Sequence, residues 1–297
     1  MKTAIVSGAN GFIGTYLCEE LLKQGYQVFG IERNSKKRKR IPQAGNYNRI
    51  VADFSNYSNL YEKLPNKAGI FFHLAWDSNN SDYIMQAKNI QGACDAIDSA
   101  IKANCKRFVF VGSFHEYSVP LNNCYHRRND LYSIAKESAN KMCKNIAFHN
   151  GIEYCSAQCS MCYGAGDMRQ YLVKVVIESI LYGKPCDLVK GDQLYDIIPV
   201  QDVVNGLISI GIKGNNLKDY YLGHSPKPLK EIITDIRNLL DPSYPLNFGS
   251  IDDEIDIDFT KIDIDSLKKD TGFEFVCDFD KCILQTADWI IENGNKL

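Results

Sequence analysis

The sequence has no apolar run long enough to cross a membrane and no excess of charge of either sign. A membrane helix needs roughly 20 apolar residues, whereas the start, MKTAIVSGANGFIG, reaches glycine after a short apolar run. We therefore expect no signal peptide, no membrane partner and a cytoplasmic location. Lysine and arginine number 34 against 36 acids, and a formal net charge of −2 excludes a general affinity for nucleic acid.

The sequence also lacks the signals of a disulfide-rich secreted protein. Its 11 cysteines, without a secretory signal, are typical of a reducing compartment in which thiols stay free. Cys155, Cys159 and Cys162 have a C-x-x-x-C-x-x-C spacing that can hold an iron–sulfur cluster. The segment EYCSAQCSMCYG is instead typical of a buried strand ending in a turn, where alternation spreads the thiols between two faces. We predict no metal site.

The first half of the chain contains a regular alternation of short β-branched runs and longer amphipathic segments. The runs are TAIVS, QVFGI, NRIVA, GIFFHLA and RFVFVGS, with helical segments that include residues 12–24 and 84–103. Parallel strands buried on both faces have continuous apolar sequences, and helices between them complete βαβ units. The alternation predicts an α/β fold with a doubly wound parallel sheet of the Rossmann type.

The length of 297 residues indicates a second, smaller domain. The regular alternation of strand-like runs and helical segments also ends after Gly164. The run DIIPV is typical of a strand, and Asp202 behind it is predicted to cap the next helix. From about residue 224 the segments are shorter and richer in turns. We predict an NAD(P)-binding domain in residues 1–163, to which residues 193–223 return. A smaller C-terminal α/β substrate lobe would comprise residues 164–192 and 224–297.

A glycine-rich segment, SGANGFIG at residues 7–14, lies directly between the first strand and the first helix. Glycine permits the tight turn and a close approach of the backbone to a pyrophosphate, and the helix N-terminus supplies N–H groups and a positive dipole end. A purely structural turn is the alternative. We predict a dinucleotide site formed by Gly8, Gly11, Phe12, Ile13 and Gly14.

The second strand ends in Glu32 and Arg33, which point to different cofactors. An acid accepts hydrogen bonds from the ribose 2′-hydroxyl of NAD(H), whereas an arginine pairs with the 2′-phosphate of NADP(H). The basic run NSKKRKR at residues 34–40, in which Ser35 is a predicted cofactor contact, can also be a solvated surface. Its position beside Arg33 favours NADP(H). NAD(H) is the alternative, because the charge of Glu32 would repel a 2′-phosphate.

A candidate hydride-transfer site is formed by Ser113, at the end of the strand FVFVG, and by YSIAK at residues 132–136. Ligands of open α/β sheets bind at the carboxyl ends of the strands, and Tyr132 and Lys136 share a helix face. A free phenol has a pKa of about 10, which a nearby ammonium lowers. Tyr132 can then exchange a proton with a carbonyl group while hydride passes to or from nicotinamide.

The order and spacing of GANGFIG, VADF, FHLA, FVFVGSFHEY and YSIAK resemble the extended short-chain dehydrogenase/reductase family of nucleotide-sugar epimerases, dehydratases and reductases. The similarity continues through YGAGD, GDQLYDIIPVQDV and TGFEF, so it covers nearly the whole chain. This resemblance implies a catalytic triad of Ser113, Tyr132 and Lys136. It also implies contacts to the adenine and along the cofactor from Asp53, Phe54, Leu74 and Ala75.

Some positions depart from the family pattern. Phe114 and His115 stand where sugar 4,6-dehydratases carry an Asp-Glu pair, which argues against dehydration. The usual arginine and asparagine contacts to the diphosphate are replaced by Gln158, Met161 and Tyr195. Arg169 is a candidate substitute, with an exposed arginine of no such role as the alternative.

His115 is a second candidate substrate residue. It matches the place of a cysteine proton shuttle in the GDP-fucose synthase branch, and histidine titrates near neutral pH. A hydrogen-bonded structural histidine is the alternative.

Several functions are compatible with these motifs. The first is 4-keto reduction of a nucleotide-linked deoxysugar, and 4-epimerisation with tightly bound NAD needs the same triad. A reductase of a non-sugar carbonyl compound and a non-catalytic dinucleotide sensor are further alternatives. We also expect a homodimer, because helices matching 84–103 and 132–150 commonly pair in the family that this chain resembles.

Overall fold

The computed structural model describes residues 2–33, 45–53, 57–77, 79, 82–118, 130–252 and 257–294. Ser35, Phe54 and the basic run at residues 36–40 lie outside the described residues.

The elements of the first half follow the predicted βαβ order. They are β1 (Thr3–Ser7), α1 (Phe12–Lys23), β2 (Gln27–Glu32), β3 (Tyr47–Val51), β4 (Ile70–His73), α2 (Tyr83–Lys102), β5 (Arg107–Ser113), α3 (Asp130–Asn150) and β6 (Glu153–Cys159). A 3-10 helix, Phe114–Ser118, follows β5 directly.

The second half contains shorter strands. The elements are β7 (Met161–Tyr163), α4 (Leu172–Tyr182), β8 (Asp187–Leu188), β9 (Leu194–Tyr195), β10 (Ile197–Pro199), α5 (Val200–Lys213), β11 (Lys218–Leu222), β12 (Lys227–Pro228), α6 (Leu229–Leu240), β13 (Asn247–Phe248), α7 (Ser266–Thr271) and α8 (Phe279–Asn293). Across the described residues, no helix is long and apolar enough to span a membrane.

The chain contacts define two compact units. The first comprises Met1–Cys159, Val204–Leu222 and Asp263–Glu274, and the second comprises Ser160–Val203, Gly223–Ile262 and Phe275–Leu297. This division differs in detail from the sequence prediction, because residues 160–163, 193–203 and 223 group with the second unit and residues 263–274 with the first. The predicted assignment of the second unit to substrate stays a prediction.

The first unit is built on a parallel sheet whose seven described strands lie in the order β11-β6-β5-β4-β1-β2-β3. Its central strands are buried along their whole length, which explains their continuous apolar sequences. Large side chains on the sheet, among them Phe71, Phe108 and Tyr154, form the core with the helices. The predicted Rossmann-type α/β fold is confirmed.

The strand register brings the predicted cofactor segments to one edge of this sheet. Ser7 at the end of β1 pairs with His73 at the end of β4, and His73 pairs with Phe110 of β5. Strand β5 continues from Phe110 to Ser113. Chain order reverses at β1, whose neighbours are β2 and β4, and dinucleotides bind at such a switch point.

The second unit contains short strand pairs and helices. Strand β7 pairs with β10 in parallel, β9 pairs with β12 antiparallel, and β8 pairs with β13 in parallel. Helices α4, α6 and α8 contact one another. Helix α6 buries one apolar face, formed by Leu229, Ile232, Ile233 and Ile236.

The prediction that Asp202 caps a helix is wrong. Helix α5 begins at Val200, so Asp202 lies inside its first turn. Its buried carboxylate accepts the backbone N–H groups of Val276 at 3.1 Å and Cys277 at 3.3 Å. As an N-cap, Asp202 would have accepted N–H groups from the start of its own helix. It accepts them instead from a segment more than 70 residues later in the sequence.

Candidate active site

The glycine segment forms a tight turn between β1 and α1. Gly8 has a φ of 70°, and a Cβ atom there would lie 3.0 Å from the backbone nitrogen of Ala75. A Cβ atom on Gly14 would lie 2.1 Å from the carbonyl oxygen of Gly8. Helix α1 begins at Phe12 after Gly11, which has no side chain to cap it. This backbone fits a pyrophosphate, because glycines at the turn let a ligand approach the backbone and the start of α1 supplies N–H groups.

The Ser7 hydroxyl, which was not among the predicted site residues, holds the predicted cofactor contacts Leu74 and Ala75 at the end of β4. Its oxygen accepts the N–H groups of Leu74 at 3.1 Å and Ala75 at 3.2 Å. The hydroxyl therefore donates to Nδ1 of His73, 2.9 Å away. Burial and the charge of Lys136 lower the pKa of His73 to about 3, so this imidazole is neutral.

The two residues that bear on the cofactor preference lie in different environments. Glu32 is 1% exposed, and its carboxylate accepts the Tyr47 hydroxyl at 2.7 Å and Arg49 Nε at 3.0 Å. The side chain of Arg33 is 63% exposed, with Nη1 3.7 Å from the Asp77 carboxylate. Tyr47 and Arg49 were not predicted, because their relation to Glu32 depends on the pairing of β3 with β2.

Asp53, a predicted adenine contact, is exposed beyond the end of β3. It lies in the same unit as the glycine segment.

The predicted triad lies at the end of β5 and the start of α3. Ser113 is the last residue of β5, and Tyr132 and Lys136 lie in the first two turns of α3. Lys136 is only 5% exposed, and its Nζ donates to the carbonyl oxygen of Val111 at 2.8 Å. The same nitrogen lies 6.0 Å from the centre of the Tyr132 ring. Burial lowers the pKa of Lys136 to about 8, and the charge of Glu116 opposes that shift.

Trp76 covers the Lys136 ammonium and was not predicted. Its ring centre is 3.9 Å from Lys136 Nζ and 6.3 Å from the Tyr132 ring, in an edge-on arrangement. The indole N–H donates to Oε1 of the buried Gln86 at 3.2 Å. An aromatic face stabilises a desolvated cation, so Trp76 favours the charged form of the buried Lys136.

Glu116 is a buried acid in the 3-10 helix that follows Ser113. It was not predicted as a site residue. One carboxylate oxygen accepts the N–H of Ser113 at 2.7 Å, and the other accepts the side-chain amides of Asn140 at 2.9 Å and Gln158 at 3.4 Å. Burial raises the pKa of Glu116, while these bonds and the charge of Lys136 oppose the rise. A Cβ atom on Gly112 would lie 2.2 Å from the Glu116 carboxylate, so that glycine makes room for the acid.

His115 lies beside the predicted proton donor. Its ring centre is 6.0 Å from that of Tyr132 and 4.3 Å from that of Phe114. Its backbone N–H donates to the Ser113 hydroxyl at 3.3 Å. Burial lowers the pKa of His115 to about 4, so the imidazole is neutral at pH 7. It therefore cannot act as an imidazolium acid at that pH.

Arg169, the second candidate substrate residue, belongs to the second unit. Its guanidinium pairs with Asp167 through two bonds, Nε to Oδ1 at 2.7 Å and Nη2 to Oδ2 at 2.8 Å. The guanidinium carbon is 4.5 Å from the centre of the Tyr171 ring. Its charge is therefore already compensated, and a diphosphate would have to compete with Asp167.

Cys155 and Cys159 lie in β6 and Cys162 in β7, so the strand assignment of this segment holds. Within the described ranges, no three His, Cys, Asp or Glu side chains form a group that could hold a metal ion.

The first unit thus combines a dinucleotide-type turn with a hydroxyl, a phenol and a buried ammonium at one edge of a parallel sheet. These groups suit proton transfer to a carbonyl oxygen coupled to hydride transfer at its carbon.

Comparison of the sequence with known proteins identifies its relatives. A model of the NAD dependent epimerase/dehydratase family matches residues 4–223. The CDP-abequose synthase of Salmonella typhimurium is 27% identical over 260 residues, which cover 84% of this chain and 85% of that protein. A dTDP-glucose 4,6-dehydratase of the same species is 24% identical, with 99% of this chain and 93% of that protein covered.

Solved structures share the fold. The enzyme WbmF of Bordetella bronchiseptica in complex with NADH has a TM-score of 0.83 at 19% identity, covering 99% of this chain and 93% of that one. The UDP-N-acetylglucosamine 4-epimerase of Methanobrevibacter ruminantium has a TM-score of 0.82 at 20% identity, covering 98% of this chain and 99% of that one. The chain therefore belongs to the NAD dependent epimerase/dehydratase family, as an NAD(P)-dependent enzyme of the extended short-chain dehydrogenase/reductase type.

Proposed function

We propose that this enzyme reduces the 4-keto group of a nucleotide-linked deoxysugar, with NADP(H) as the cofactor. The observation that carries the proposal is the buried ammonium of Lys136 next to Tyr132, with the Ser113 hydroxyl at the neighbouring strand end. A desolvated cation beside a phenol is an arrangement that stabilises the phenolate formed when the phenol gives up its proton.

The proposed roles follow from the chemistry of a ketone. The reduced nicotinamide, when bound, supplies hydride to the carbonyl carbon. Tyr132 gives its phenolic proton to the carbonyl oxygen, so that the ketone gains one hydride and one proton and becomes an alcohol. Ser113 donates a hydrogen bond to the same oxygen, and Lys136 stabilises the Tyr132 phenolate until solvent returns the proton. The turn at Gly8, Gly11 and Gly14 would hold the pyrophosphate.

The substrate class is inferred from the relatives and from two residues. CDP-abequose synthase is named for a nucleotide-linked sugar, and it covers most of this chain. Phe114 is buried and apolar, and neither it nor His115 provides the acid pair that the resemblance implies for dehydratases. Because His115 is neutral, we assign it the role of a hydrogen-bonding group beside Tyr132 and not that of a general acid.

The cofactor preference is inferred from Arg33. Its exposed guanidinium follows β2 directly, where an arginine meets the adenosine 2′-phosphate of NADP(H). NAD(H) stays the alternative.

A 4-epimerase is the second candidate function. Two relatives favour it, since the fold of a UDP-N-acetylglucosamine 4-epimerase matches nearly the whole chain and UDP-glucuronate 4-epimerase 3 of Arabidopsis thaliana is 22% identical. The triad would serve both reactions. They differ because a reductase consumes reduced cofactor in proportion to product, whereas an epimerase returns the hydride to its substrate.

A panel of 4-keto sugars linked to UDP, GDP, CDP and dTDP tests the proposal, with NADPH and NADH followed by the absorbance of reduced nicotinamide. We expect stoichiometric oxidation of NADPH with at least one of these sugars. The Tyr132→Phe variant should bind NADPH as the wild type does and lose turnover by at least about 100-fold, because it has no proton to give.

Other outcomes would reject the reductase. Interconversion of sugar stereoisomers without net cofactor oxidation would identify an epimerase. Reduction of small non-sugar ketones alone would identify a carbonyl reductase of another class. Full activity of Tyr132→Phe would remove Tyr132 from the chemistry.

A further inference from the structure

The carboxylate of Glu32, at the end of β2, is held by two side chains of the neighbouring strand. The Tyr47 hydroxyl donates to Oε1 at 2.7 Å, and Arg49 Nε donates to Oε2 at 3.0 Å. Glu32 is 1% exposed, whereas the side chain of Arg49 keeps 26% of its surface. One oxygen thus has a neutral donor and the other a cation.

The strand register explains how these side chains reach one another. Val28 pairs with Tyr47, Gly30 with Arg49, and Glu32 with Val51. Alternation along each strand places Gly30 and Glu32 on the face of the sheet that Tyr47 and Arg49 share. Both β3 side chains extend along this face toward the end of β2.

Gly30 is the residue that makes the arrangement possible. A Cβ atom at this position would lie 1.9 Å from the Tyr47 hydroxyl oxygen. The Tyr47 hydroxyl group therefore lies over β2 at Gly30, in the space that a side chain at this position would fill. A glycine in a strand interior costs stability, and here it admits a second donor to Glu32.

This arrangement changes what an acid at the end of β2 can do. A carboxylate that reads the ribose must present its oxygens to the ligand, and an uncompensated one repels a 2′-phosphate. The Glu32 carboxylate has almost no accessible surface, and Arg49 compensates its charge. The next residue, Arg33, keeps an exposed guanidinium whose partner Asp77 lies 3.7 Å away, beyond hydrogen-bond distance.

We propose that Arg49 and Tyr47 set the cofactor preference of this enzyme, by withdrawing Glu32 from the ribose and cancelling its charge so that Arg33 can bind a 2′-phosphate. This inference rests on the proposed use of NADP(H), and it assigns specificity to two residues of β3. It makes Glu32 a support of the site and not a ligand of the ribose.

Equilibrium binding of NADPH and NADH, with no sugar present, tests the role of Glu32. The dissociation constants can be measured from the fluorescence of the reduced nicotinamide. In Glu32→Gln, which keeps the shape of the side chain, we expect NADH to bind within about twofold of the wild type and NADPH to bind at least as tightly. A selective loss of NADH affinity in this variant would show that Glu32 reads the ribose, and would overturn the proposal.

Arg49→Gln tests the charge compensation. The freed charge of Glu32 should weaken NADPH binding by roughly 10- to 100-fold and change NADH binding much less, because only NADPH carries the 2′-phosphate. Adding Glu32→Gln to this variant should restore NADPH binding. Arg237→Gln, which removes an arginine from α6 in the second unit, is the control for the loss of one positive charge and should change neither affinity.

Other results with Arg49→Gln distinguish charge compensation from a structural role of the Glu32–Arg49 pair. An equal loss of NADH and NADPH in Arg49→Gln, not repaired by Glu32→Gln, would mean that the pair only supports the strands. If Arg49→Gln does not fold because it leaves a buried carboxylate without a cation, the neutral double variant carries the test. NADPH binding in the double variant similar to the wild type is then expected, and a loss confined to NADPH would contradict charge cancellation.

The two proposals fail in different ways. Binding requires no sugar, so a negative sugar panel with the expected binding pattern would reject the reductase and leave the role of Arg49 and Tyr47 intact. Reduction of a 4-keto sugar with NADH alone would reject NADP(H) use and the present inference, and would leave the reductase reaction standing.

Discussion

Lys136 is a charged residue in a nearly dry environment, and three neighbours make that possible. Its Nζ donates a hydrogen bond to the carbonyl oxygen of Val111 at 2.8 Å and lies 3.9 Å from the centre of the Trp76 ring. The acid of Glu116 supplies a negative charge from behind Ser113. Burial lowers the pKa of Lys136 and the negative charge of Glu116 opposes that shift, so the pKa falls only to about 8.

This balance predicts an alkaline limit to activity. A lysine whose pKa is lowered is charged below that value and neutral above it, so the ammonium is lost as pH rises through about 8. We expect kcat/KM for ketone reduction to fall over that range, because a neutral Lys136 no longer stabilises the Tyr132 phenolate. The measurement is the pH profile of kcat/KM between about pH 6 and pH 10.

The exposed Lys141 of the same helix provides the control for this experiment. Lys141→Met should leave the pH profile unchanged. A wild-type rate that stays constant to the alkaline end of the range would contradict the assigned role of Lys136.

At the scale of elements, the turn from β1 to α1 depends on backbone contacts that exclude a side chain. A Cβ atom on Gly14 would lie 2.1 Å from the Gly8 oxygen and 3.0 Å from the Ala9 Cα, and neither is a flexible side chain that can move aside. We expect Gly14→Ala to displace this turn, to cost roughly 1–3 kcal/mol of stability and to weaken cofactor binding.

Gly45→Ala is a matched control, because no atom of the described residues lies within 4 Å of the Cβ that it would add. Thermal unfolding and NADPH titration of both variants check the prediction. Unchanged affinity and stability in Gly14→Ala would mean that the turn does not need its close backbone packing.

A second group of elements is tied together by Glu116. Its carboxylate bonds to the end of β5 through Ser113, to α3 through Asn140 and to β6 through Gln158. Asn140 lies one turn beyond Lys136 on α3, so the acid links the strand that carries the predicted hydroxyl to the helix that carries the predicted phenol and ammonium. A buried carboxylate with several donors is costly to disrupt, and it therefore fixes the relative position of those elements.

At the scale of the molecule, apolar side chains remain exposed on α3 and at the start of α2. Helix α3 exposes Leu131, Ile134, Met142 and Phe148, and α2 exposes Tyr83 and Ile84. Leu131, Ile134 and Met142 fall on one face at helical spacing. A homodimer that covers these residues stays a prediction, as does the cytoplasmic location.

Sedimentation velocity tests the dimer. We expect the wild type to sediment as a dimer and Met142→Glu to sediment as a monomer, because a carboxylate in an apolar interface leaves an uncompensated charge. Ile212→Glu, at a similarly exposed position on α5, is the control and should stay dimeric. A wild type that is monomeric at every concentration would contradict the prediction.

Sequence alone determined the order of strands and helices in the first unit and the elements that carry the predicted site. Short apolar runs, helical periodicity and the glycines at residues 8, 11 and 14 are local signals, and they encode local structure. They placed Ser113 at a strand end and Tyr132 with Lys136 on one helix, as the structure has them. The domain boundaries were less predictable, because the chain passes between the two units several times.

Tertiary structure decided the environment of each of these groups. Arg49 meets Glu32 through the pairing of β3 with β2, and Trp76 and Glu116 meet Lys136 from other elements of the unit. Ser7 meets His73 across neighbouring strands, and Asp202 binds the backbone at residues 276 and 277 instead of capping its helix. These contacts join residues far apart in sequence, and no local pattern records them. Charge, burial and proton affinity depend on such contacts, so the chemistry of the site follows from the fold.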